Sequence, residues 1–409
     1  MKKYWIYIEP YVVVNIKSDK ALYYNTLNKI YLVFDKKEIL VLTKKFEKRG
    51  NLMILSIDEE LLRISPYQEF IESLRSSFSG DIIDTSWSKC KPIQIIPKLK
   101  RNVGSTYSFK KWYGENILTY LNELTLYVNG ECEQECITCQ KYYKQFIFCK
   151  KSKNTKISIN VLESLFEVLK ESPLNRVNFV GGNILAISDL KSLLQTINNY
   201  LFEKNIYVNY LNINDSTLDN LHLFNNFNIN LKLLINSAID FDRLNYSIKL
   251  SKHLNPELVF IVEDVEEIGK IDLLIEKTGI TNYKINPYYN KNNVKFFEDY
   301  VYLTSEDIQK ETPDRKTLFS RKAINTNEFG KLTILSDGYV YSSLNESKLG
   351  NLNKNSIQEI MHRELSSSRS WKKRRQFLKP CINCIYNLHC PPITDYERII
   401  GKPNLCHVM

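Results

Sequence analysis

The sequence predicts an α/β protein whose centre is built from six strand-helix units, with a smaller strand-and-helix module in front and a cysteine-rich region behind. Three observations support this prediction. From Leu121 onward, short apolar runs alternate with amphipathic helical stretches, the pattern of a parallel sheet with crossover helices. Before that, apolar residues alternate with a period of two, as in a half-buried antiparallel sheet. Finally, most of the 9 cysteines fall into two tight groups.

Length, charge and composition define the broad class. The chain has 409 residues, 43% hydrophobic and 25% charged, which suits a globular protein of two or three domains. Its 56 Lys and Arg against 46 Asp and Glu give a net charge of +10, which excludes an acidic disordered protein. No apolar run approaches the roughly 18 residues of a membrane-spanning helix, and Glu9-Pro10 interrupts the only signal-like stretch. We therefore expect a cytoplasmic protein without a membrane partner, whose cysteines are metal ligands rather than disulfides.

The first element is a module over residues 1–90. Its strand candidates are 4–8, 22–24 and 30–34, each with alternating apolar side chains. A helix follows, with Ser65 predicted as the N-cap and Pro66 at the first helical position. Residues 91–118 contain prolines and basic residues without a sustained period, so they are predicted to be a linker.

The second element, residues 119–300, contains the six strand-helix units. The strand candidates are 124–128, 177–180, 207–211, 230–235, 258–262 and 283–285. Residues 188–202 illustrate the connecting helices, because their apolar side chains recur at three-and-four spacing. Six such units fit an open partial barrel or a doubly wound sheet. In both folds, ligands bind beyond the carboxyl ends of the strands.

Directly after the first of these strands stand Cys132, Cys136 and Cys139, the first cysteine group. Three thiolates this close in sequence can hold one metal centre. An iron-sulfur cube with three cysteine ligands leaves one iron open, whereas a zinc ion needs a further ligand from elsewhere. The cube is favoured because none of the 5 histidines lies near this loop and no second Cys-x2-Cys pair accompanies it.

Glycines and polar residues mark the next strand ends. Gly181-Gly182-Asn183 ends the second strand, where glycines allow a ligand or a backbone to approach closely. Asn212 follows the third strand and Ser237 the fourth, in positions that suit hydrogen bonds to a ribose or a carboxylate. Asn and Ser also favour turns for purely local reasons.

Four further residues are interpreted as lying outside any site. Cys90 and Cys149 are predicted to be packing residues, although Cys149 follows Cys139 closely enough to close a cluster on the first cysteine group. Glu263-Asp264, at the fifth strand end, is in a position to face the cavity, but an acidic turn at the end of a strand is the favoured interpretation.

The third element, residues 301–409, contains the second cysteine group: Cys381, Cys384, Cys390 and Cys406. Four thiolates are a complete ligand set for a closed 4Fe-4S cluster or for a structural zinc, and the spacing alone does not separate the two. Ahead of them, residues 332–341 are predicted to form a hairpin that turns at Asp337-Gly338. The basic run 371–375 is predicted to be helix-like.

Cys-x3-Cys-x2-Cys after the first strand of a six-unit chain resembles the radical S-adenosylmethionine (radical SAM) superfamily. In that family the three cysteines, here Cys132, Cys136 and Cys139, hold a 4Fe-4S cluster whose open iron binds SAM. One electron then cleaves SAM and yields a 5′-deoxyadenosyl radical. Gly181-Gly182 matches the glycine pair of the family's Gly-Gly-Glu, whose glutamate meets the SAM amine. Asn183 replaces that glutamate, and Thr138 replaces an aromatic residue that usually stands beside the third cysteine.

The second cysteine group resembles the SPASM domain, which follows radical SAM cores in peptide-modifying enzymes. Its four cysteines match the ligands of the second auxiliary cluster of that domain. The ligands of the first auxiliary cluster are missing: Ser343 and Thr394 stand at two of those positions, and no cysteine lies in 325–330. The resemblance therefore implies two 4Fe-4S clusters, one that binds SAM and one auxiliary.

The front module resembles the small winged-helix-like domains that bind the leader segment of a precursor peptide. The whole architecture resembles maturases of ribosomally made peptides (RiPPs), in particular a group from Bacteroidetes peptide cassettes that includes degenerate members. The resemblance implies a precursor peptide as partner and a radical SAM activity that modifies it. An alternative is a catalytically silent pseudo radical SAM protein that delivers the leader peptide to a second maturase. An RNA-modifying radical SAM enzyme is disfavoured, because the basic clusters, such as 98–101 and 372–375, are scattered.

Overall fold

The computed structural model describes residues 2–17, 19–87, 90–95, 116–134, 136, 139–152, 155–367 and 370–408. Most of the predicted linker, residues 96–115, lies outside this part of the chain. The basic cluster 98–101 and Thr138 lie outside it as well.

The front module consists of two antiparallel sheets and helices packed on a shared apolar core. Its elements are β1 (Lys3–Ile8), β2 (Val12–Ile16), β3 (Ala21–Asn25), β4 (Tyr31–Phe34), α1 (Lys37–Phe46), β5 (Ile54–Asp58), α2 (Glu59–Leu62), α3 (Tyr67–Ser76) and β6 (Gly80–Asp84). One sheet has the order β5-β1-β6 and the other β2-β3-β4. The predicted strands are confirmed. The predicted cap is wrong: Pro66 is the N-cap of α3, because the Ser65 hydroxyl donates to the Glu69 carboxylate instead of accepting a backbone N–H.

The central sheet settles the choice between a partial barrel and a doubly wound sheet. Its parallel strands are β7 (Glu123–Asn129), β8 (Arg176–Gly181), β9 (Glu203–Asn209), β10 (Asn230–Ile235), β11 (Glu257–Val262) and β12 (Tyr283–Pro287). They lie side by side in chain order. A doubly wound sheet would reverse its strand order at a switch point. The order seen is that of a partial (β/α)6 barrel.

The short helix α4 (Cys139–Tyr142) lies at the carboxyl end of the sheet, and the helices on its outer face are α5 (Ile159–Leu169), α6 (Leu190–Asn198), α7 (Leu218–Leu223), α8 (Phe241–Ser251), α9 (Val265–Thr278) and α10 (Val294–Tyr300). The predicted helix 188–202 is therefore too long, and Asp189 rather than Ser188 is its N-cap. The third strand also begins at Glu203 rather than at residue 207. Its first half is polar because Asn205 bonds with Asn178 and Asn230 of the neighbouring strands, which hides the strand from a search for apolar runs.

The C-terminal region continues the same sheet. β13 (Lys331–Ile334) pairs in parallel with β7, and β14 (Tyr339–Tyr341) and β15 (Gly350–Asn351) follow antiparallel. Gly338 turns the predicted hairpin with φ +82°. The helices of this region are α11 (Ser305–Lys310), α12 (Arg315–Ala323), α13 (Ile357–Ser367) and α14 (Asp395–Ile400). The prediction that 371–375 is helix-like is wrong, since α13 ends at Ser367. The guanidinium groups of Arg374 and Arg375 instead bind backbone carbonyls of other segments.

The front module packs directly on the second cysteine group. Leu22 of β3 is buried against Ile308, Ile385 and Tyr386. The side-chain amide of Asn15 donates to the carbonyl of Ile385 at 2.6 Å. Sheet β2-β3-β4 therefore forms one wall of the C-terminal region. Within the described part of the chain, no helix combines the length and the apolar character that crossing a membrane requires.

Candidate metal centres

The first cysteine group lies at the carboxyl end of β7, where the sequence places it. The backbone N–H of Cys139, the first residue of α4, donates to the carbonyl of Cys136 at 3.2 Å. Cys139 is buried, whereas Cys132 and Cys136 are partly exposed. Burial raises the pKa of the Cys132 and Cys136 thiols, and negative charge on Cys139 adds to the effect. Hydrogen bonds oppose that rise, from Asn212 at Cys132 and from Asn236 at Cys136. The three predicted ligands therefore share the carboxyl end of β7, with Cys136 and Cys139 joined through their backbone.

The glycine pair at the end of β8 makes room for the cysteine loop. A Cβ on Gly182 would lie 2.1 Å from the carbonyl oxygen of Glu131, and one on Gly181 would lie 2.0 Å from the side-chain oxygen of Asn129. Backbone bonds fix the contact: the N–H of Gly182 donates to Asn129 and the N–H of Asn183 to Glu131. The glycines are therefore required by the loop that carries the cysteines, whatever ligand the loop holds.

Asn183 is occupied with local contacts. Its side-chain oxygen accepts the backbone N–H of Leu185 at 3.1 Å, as an N-cap of the short 3-10 turn Ile184–Ala186. The side chain is buried. The same oxygen has a second lone pair, so an ammonium group can still donate to it, without the charge assistance that a carboxylate gives. Asn183 is therefore a weaker acceptor for the SAM amine than the glutamate it replaces.

The other predicted contacts face the same strand ends. The thiol of Cys132 lies 3.9 Å from the side-chain oxygen of buried Asn212. The Ser237 hydroxyl bonds with the Tyr142 hydroxyl at 2.6 Å and with Glu263 at 2.9 Å. Asn212 therefore borders the first cysteine group, whereas Ser237 belongs to a network around a carboxylate.

Glu263 is a site residue that the sequence analysis assigned to a turn. Its carboxylate accepts hydrogen bonds from Tyr142, Ser237 and Asn290, and the last is 2.7 Å long. Only its neighbour Asp264 serves the turn, as the N-cap of α9. A helix needs only one N-cap residue, and Asp264 fills that position. The second acidic residue, Glu263, was therefore the sequence signal for a carboxylate with a different role. Glu263 ties α4, and with it the third cysteine, to the ends of β10 and β11.

The lumen segment, residues 142–149, fills the interior of the partial barrel. Tyr142, Phe148 and Cys149 are buried together with Leu234, Val259 and Ile261, which point inward from β10 and β11. Gln145 fixes the crossing, since its amide exchanges two hydrogen bonds of 2.9 Å with the backbone of Tyr289. Sequence periodicity does not reveal this segment, because it has no regular secondary structure beyond Tyr142.

The second cysteine group surrounds one small cavity. All four cysteines line it, together with Arg375, Tyr386 and Leu405 among others. The backbone N–H of Tyr386 donates to the Cys384 sulfur at 3.4 Å. Among the described residues, no three His, Cys, Asp or Glu side chains are close enough to hold a single metal ion. Four thiolates around one cavity are a complete ligand set for a 4Fe-4S cluster or for a structural zinc.

A buried guanidinium compensates charge at the second cysteine group. Arg375 bonds Glu397 at 2.5 Å, with both side chains less than a tenth exposed, and also donates to the carbonyls of Pro391 and Pro403. Burial raises the pKa of Cys381, and the charge of Arg375 opposes that rise. Arg375 thus favours thiolates at the position where a cluster needs them. Because Arg375 is buried, it does not contribute to a basic surface that could attract RNA.

The segments that would carry the first auxiliary cluster converge on an ion-pair network instead. We call this the Arg398 cluster: Arg398, Glu328, Glu346 and Asp395. The guanidinium of Arg398 lies 3.1 Å from Glu328 and 3.6 Å from Asp395, and the Ser343 hydroxyl donates to Asp395 at 3.2 Å. Thr394 caps α14 with Glu397. Carboxylates, hydroxyls and a guanidinium do not fit an iron-sulfur cluster, which requires thiolates.

Comparison with known families identifies the C-terminal region. Residues 326–385 match the SPASM family, an iron-sulfur cluster-binding domain. The match includes Cys381 and Cys384 and ends before Cys390 and Cys406. The resemblance to SPASM, predicted from the cysteine spacing, is confirmed for this region, whereas the four cysteines stay predicted ligands. No curated protein shows significant similarity to the chain.

Among solved structures, SuiB of Streptococcus suis is similar over almost the whole chain. SuiB bound to precursor peptide SuiA is 15% identical, covers 99% of this chain and 98% of its own, and gives a TM-score of 0.48. SuiB bound to S-adenosylmethionine is 13% identical, covers 97% of each chain and gives 0.49. BtrN in an open conformation is 12% identical, covers 64% of this chain and 92% of its own, and gives 0.33.

Proposed function

We propose that this chain is a radical SAM peptide maturase, which modifies a ribosomally made precursor peptide. Cys132, Cys136 and Cys139 would hold the SAM-binding 4Fe-4S cluster, and the second cysteine group an auxiliary 4Fe-4S cluster. The observation that carries the proposal is positional. The loop with three cysteines follows β7, the first of six parallel strands that lie side by side in chain order. On its other side β7 pairs with β13, which belongs to the SPASM domain.

The residues around the loop have defined tasks in this proposal. Gly181 and Gly182 admit the loop, and Asn212 borders the sulfur of Cys132. Glu263 and Ser237 hold Tyr142, which fixes the direction of α4 after the third cysteine. When bound, a cluster of this kind supplies one electron for the cleavage of SAM, which starts hydrogen abstraction. The apolar walls of the barrel exclude water from that space.

The peptide partner would bind the front module as an added strand. β4 is an edge strand, because it pairs with β3 on one side only, and its Val33 side chain is 41% exposed. An edge strand offers backbone donors and acceptors to an extended peptide. Since the same sheet packs on Ile385 and Tyr386, a leader bound at β4 would lie near the auxiliary cluster.

The test is release of 5′-deoxyadenosine. Anaerobically reconstituted protein receives SAM, a strong reductant and the precursor peptide from its own gene neighbourhood, and the nucleoside is quantified by chromatography. We expect turnover that is abolished in Cys136→Ala, with the auxiliary cluster retained. No nucleoside from protein with full iron content and the correct peptide would refute the activity.

A second candidate function is a pseudo-enzyme that delivers the leader peptide to a partner maturase. Asn183 favours it, because a neutral amide replaces the glutamate that would meet the SAM amine, and its oxygen already accepts one hydrogen bond from Leu185. This candidate predicts peptide binding without SAM cleavage. It also predicts that Cys136→Ala leaves product formation by the partner unchanged, whereas the enzyme hypothesis predicts that the variant stops it.

A further inference from the structure

Two adjoining cavities lie at the amino end of the barrel, and we call them together the amino-end chamber. Their volumes are about 420 and 210 Å³, and small-molecule pockets commonly have about 300–1,000 Å³. The larger is lined by early residues of β10, β11 and β12, namely Lys232, Glu257 and Lys284, and the smaller by Glu123 of β7 and Lys331 of β13. Since the first cysteine group follows the carboxyl end of β7, the chamber faces the opposite end of the same barrel.

The lumen segment separates the amino-end chamber from the cysteine loop. Residues 145–147 line both cavities and are therefore their common wall. Elsewhere in the segment, Tyr142 and Phe148 are buried in one apolar cluster with Cys139. A layer of packed side chains thus lies between the chamber and the first cysteine group, so the chamber is a site of its own.

The acidic side chains of the amino-end chamber are matched by basic ones within the protein. Among the described residues that line it, the pairs are Glu257 with Lys232, Glu123 with Lys331 at 3.3 Å, Glu328 with Arg398 at 3.1 Å and Asp395 with Arg398 at 3.6 Å. Two of these pairs join neighbouring strands of the sheet, and two belong to the Arg398 cluster. The chamber therefore offers no carboxylate that lacks a basic partner.

Two lysines of the amino-end chamber differ from the other basic residues there. Lys144 lines the smaller cavity and Lys284 the larger, and both side chains are exposed. Within the described part of the chain, neither ammonium group has an ion pair or a hydrogen bond. The lining of the chamber thus has two positive charges without a negative partner, which suits an anionic ligand.

We propose that the amino-end chamber binds an acidic segment of the precursor peptide, whose carboxylates contact Lys144 and Lys284. The inference rests on the proposed function for the choice of a precursor peptide as partner. Carboxylates on these two ammonium groups form charge-assisted hydrogen bonds and complete the pairing that the other charged lining residues already have. Because the lumen segment separates the chamber from the cysteines, both lysines are positioning residues. They select and hold the peptide and take no part in the chemistry.

The test is fluorescence anisotropy at low ionic strength with two labelled synthetic peptides, one of alternating Glu and Ser and one of alternating Gln and Ser. We expect the full-length protein to bind the Glu peptide more tightly than the Gln peptide, and added salt to release it. Lys144→Gln and Lys284→Gln should each weaken binding of the Glu peptide about fivefold, the effect of one exposed ion pair. The matched control is Lys191→Gln, which removes an exposed lysine from α6 on the outer face and should bind as the wild type does.

Equal affinity of the wild type for the two peptides would overturn the inference, and so would Lys144 and Lys284 variants that bind as tightly as Lys191→Gln. Unlabelled precursor peptide should displace the Glu peptide from the wild type. A precursor that supports release of 5′-deoxyadenosine but leaves the Glu peptide bound overturns this inference and leaves the proposed function intact. Displacement without release of the nucleoside supports the binding site and counts against the proposed activity. Both lysines are exposed, so their replacement leaves the core unchanged.

Discussion

The buried carboxylate of Glu328 makes the stability of this protein depend on pH near neutrality. Burial outweighs the attraction of Arg398 and raises the pKa of Glu328 from its ordinary 4.5 to about 7. Between these pH values the unfolded chain has released the proton and the folded protein keeps it. Because the folded state binds more protons in this window, its free energy of unfolding falls as the pH rises through it.

The expected size follows from the two pKa values. The difference between 4.5 and about 7, at about 1.4 kcal/mol per pH unit, amounts to about 3 kcal/mol. Glu328→Gln keeps a neutral side chain of the same shape at every pH. We therefore expect wild type and variant to be equally stable well below pH 4.5, and the variant to be more stable by about 3 kcal/mol at about pH 8.

The assay is urea unfolding of anaerobically prepared protein, followed by circular dichroism over this pH range. Glu59→Gln is the control, because Glu59 pairs with exposed Arg63 on the surface of the front module, where such pairs contribute little. Its difference from wild type should not vary with pH. A Glu328→Gln variant that is less stable than wild type by the same amount at every pH would refute the reasoning. That result would mean that Glu328 is ionised throughout and that its ion pair with Arg398 dominates.

Three further predictions concern the metal sites. Gly182→Ala should lose about four of about eight iron atoms per chain, because its Cβ would meet the carbonyl of Glu131. The control is Gly269→Ala, whose Cβ would have no atom within 4 Å and which should keep all its iron. Iron analysis of the reconstituted proteins checks both. Glu397→Gln should lower the free energy of unfolding by about 3–5 kcal/mol, since it leaves the buried charge of Arg375 without its carboxylate partner; a loss below about 1 kcal/mol in urea unfolding would contradict this. Removal of iron with a chelator under reducing conditions should lower the melting temperature, and reconstitution should restore it, because metal ligation at buried thiols contributes to folding.

The barrel and both cysteine groups could be predicted because their signals are local. Apolar strands such as β10 repeat at regular intervals, and the thiols of each group lie within a short stretch of chain. The third strand shows the limit of this approach. Its first residues are polar because the side chains of Glu203 and Asn205 bond to neighbouring strands, so strand pairing overrides the hydropathy pattern.

The contacts that change the functional interpretation were not predictable, because they join distant segments. Arg398 meets Glu328 across 70 residues of chain, and Gln145 meets Tyr289 across 144. Basic residues illustrate the same point: Arg375 looks like part of a solvated basic run and is in fact buried with Glu397. Sequence spacing identifies side chains that can hold a metal. Only the fold shows where other polar groups, such as the Arg398 cluster, occupy the position of a metal site.

The wall that β2-β3-β4 forms against the second cysteine group determines when this region can be completed during synthesis. Asn15 and Ile385 are separated by 370 residues. At about 5–20 residues per second, a ribosome needs roughly 20 to 70 seconds to make the intervening chain. The front module can fold during that time, whereas the thiol-lined cavity cannot be covered until the end. The front module is therefore in place before the four cysteines are made, and its contacts with them, so distant in sequence, are among the slowest to form.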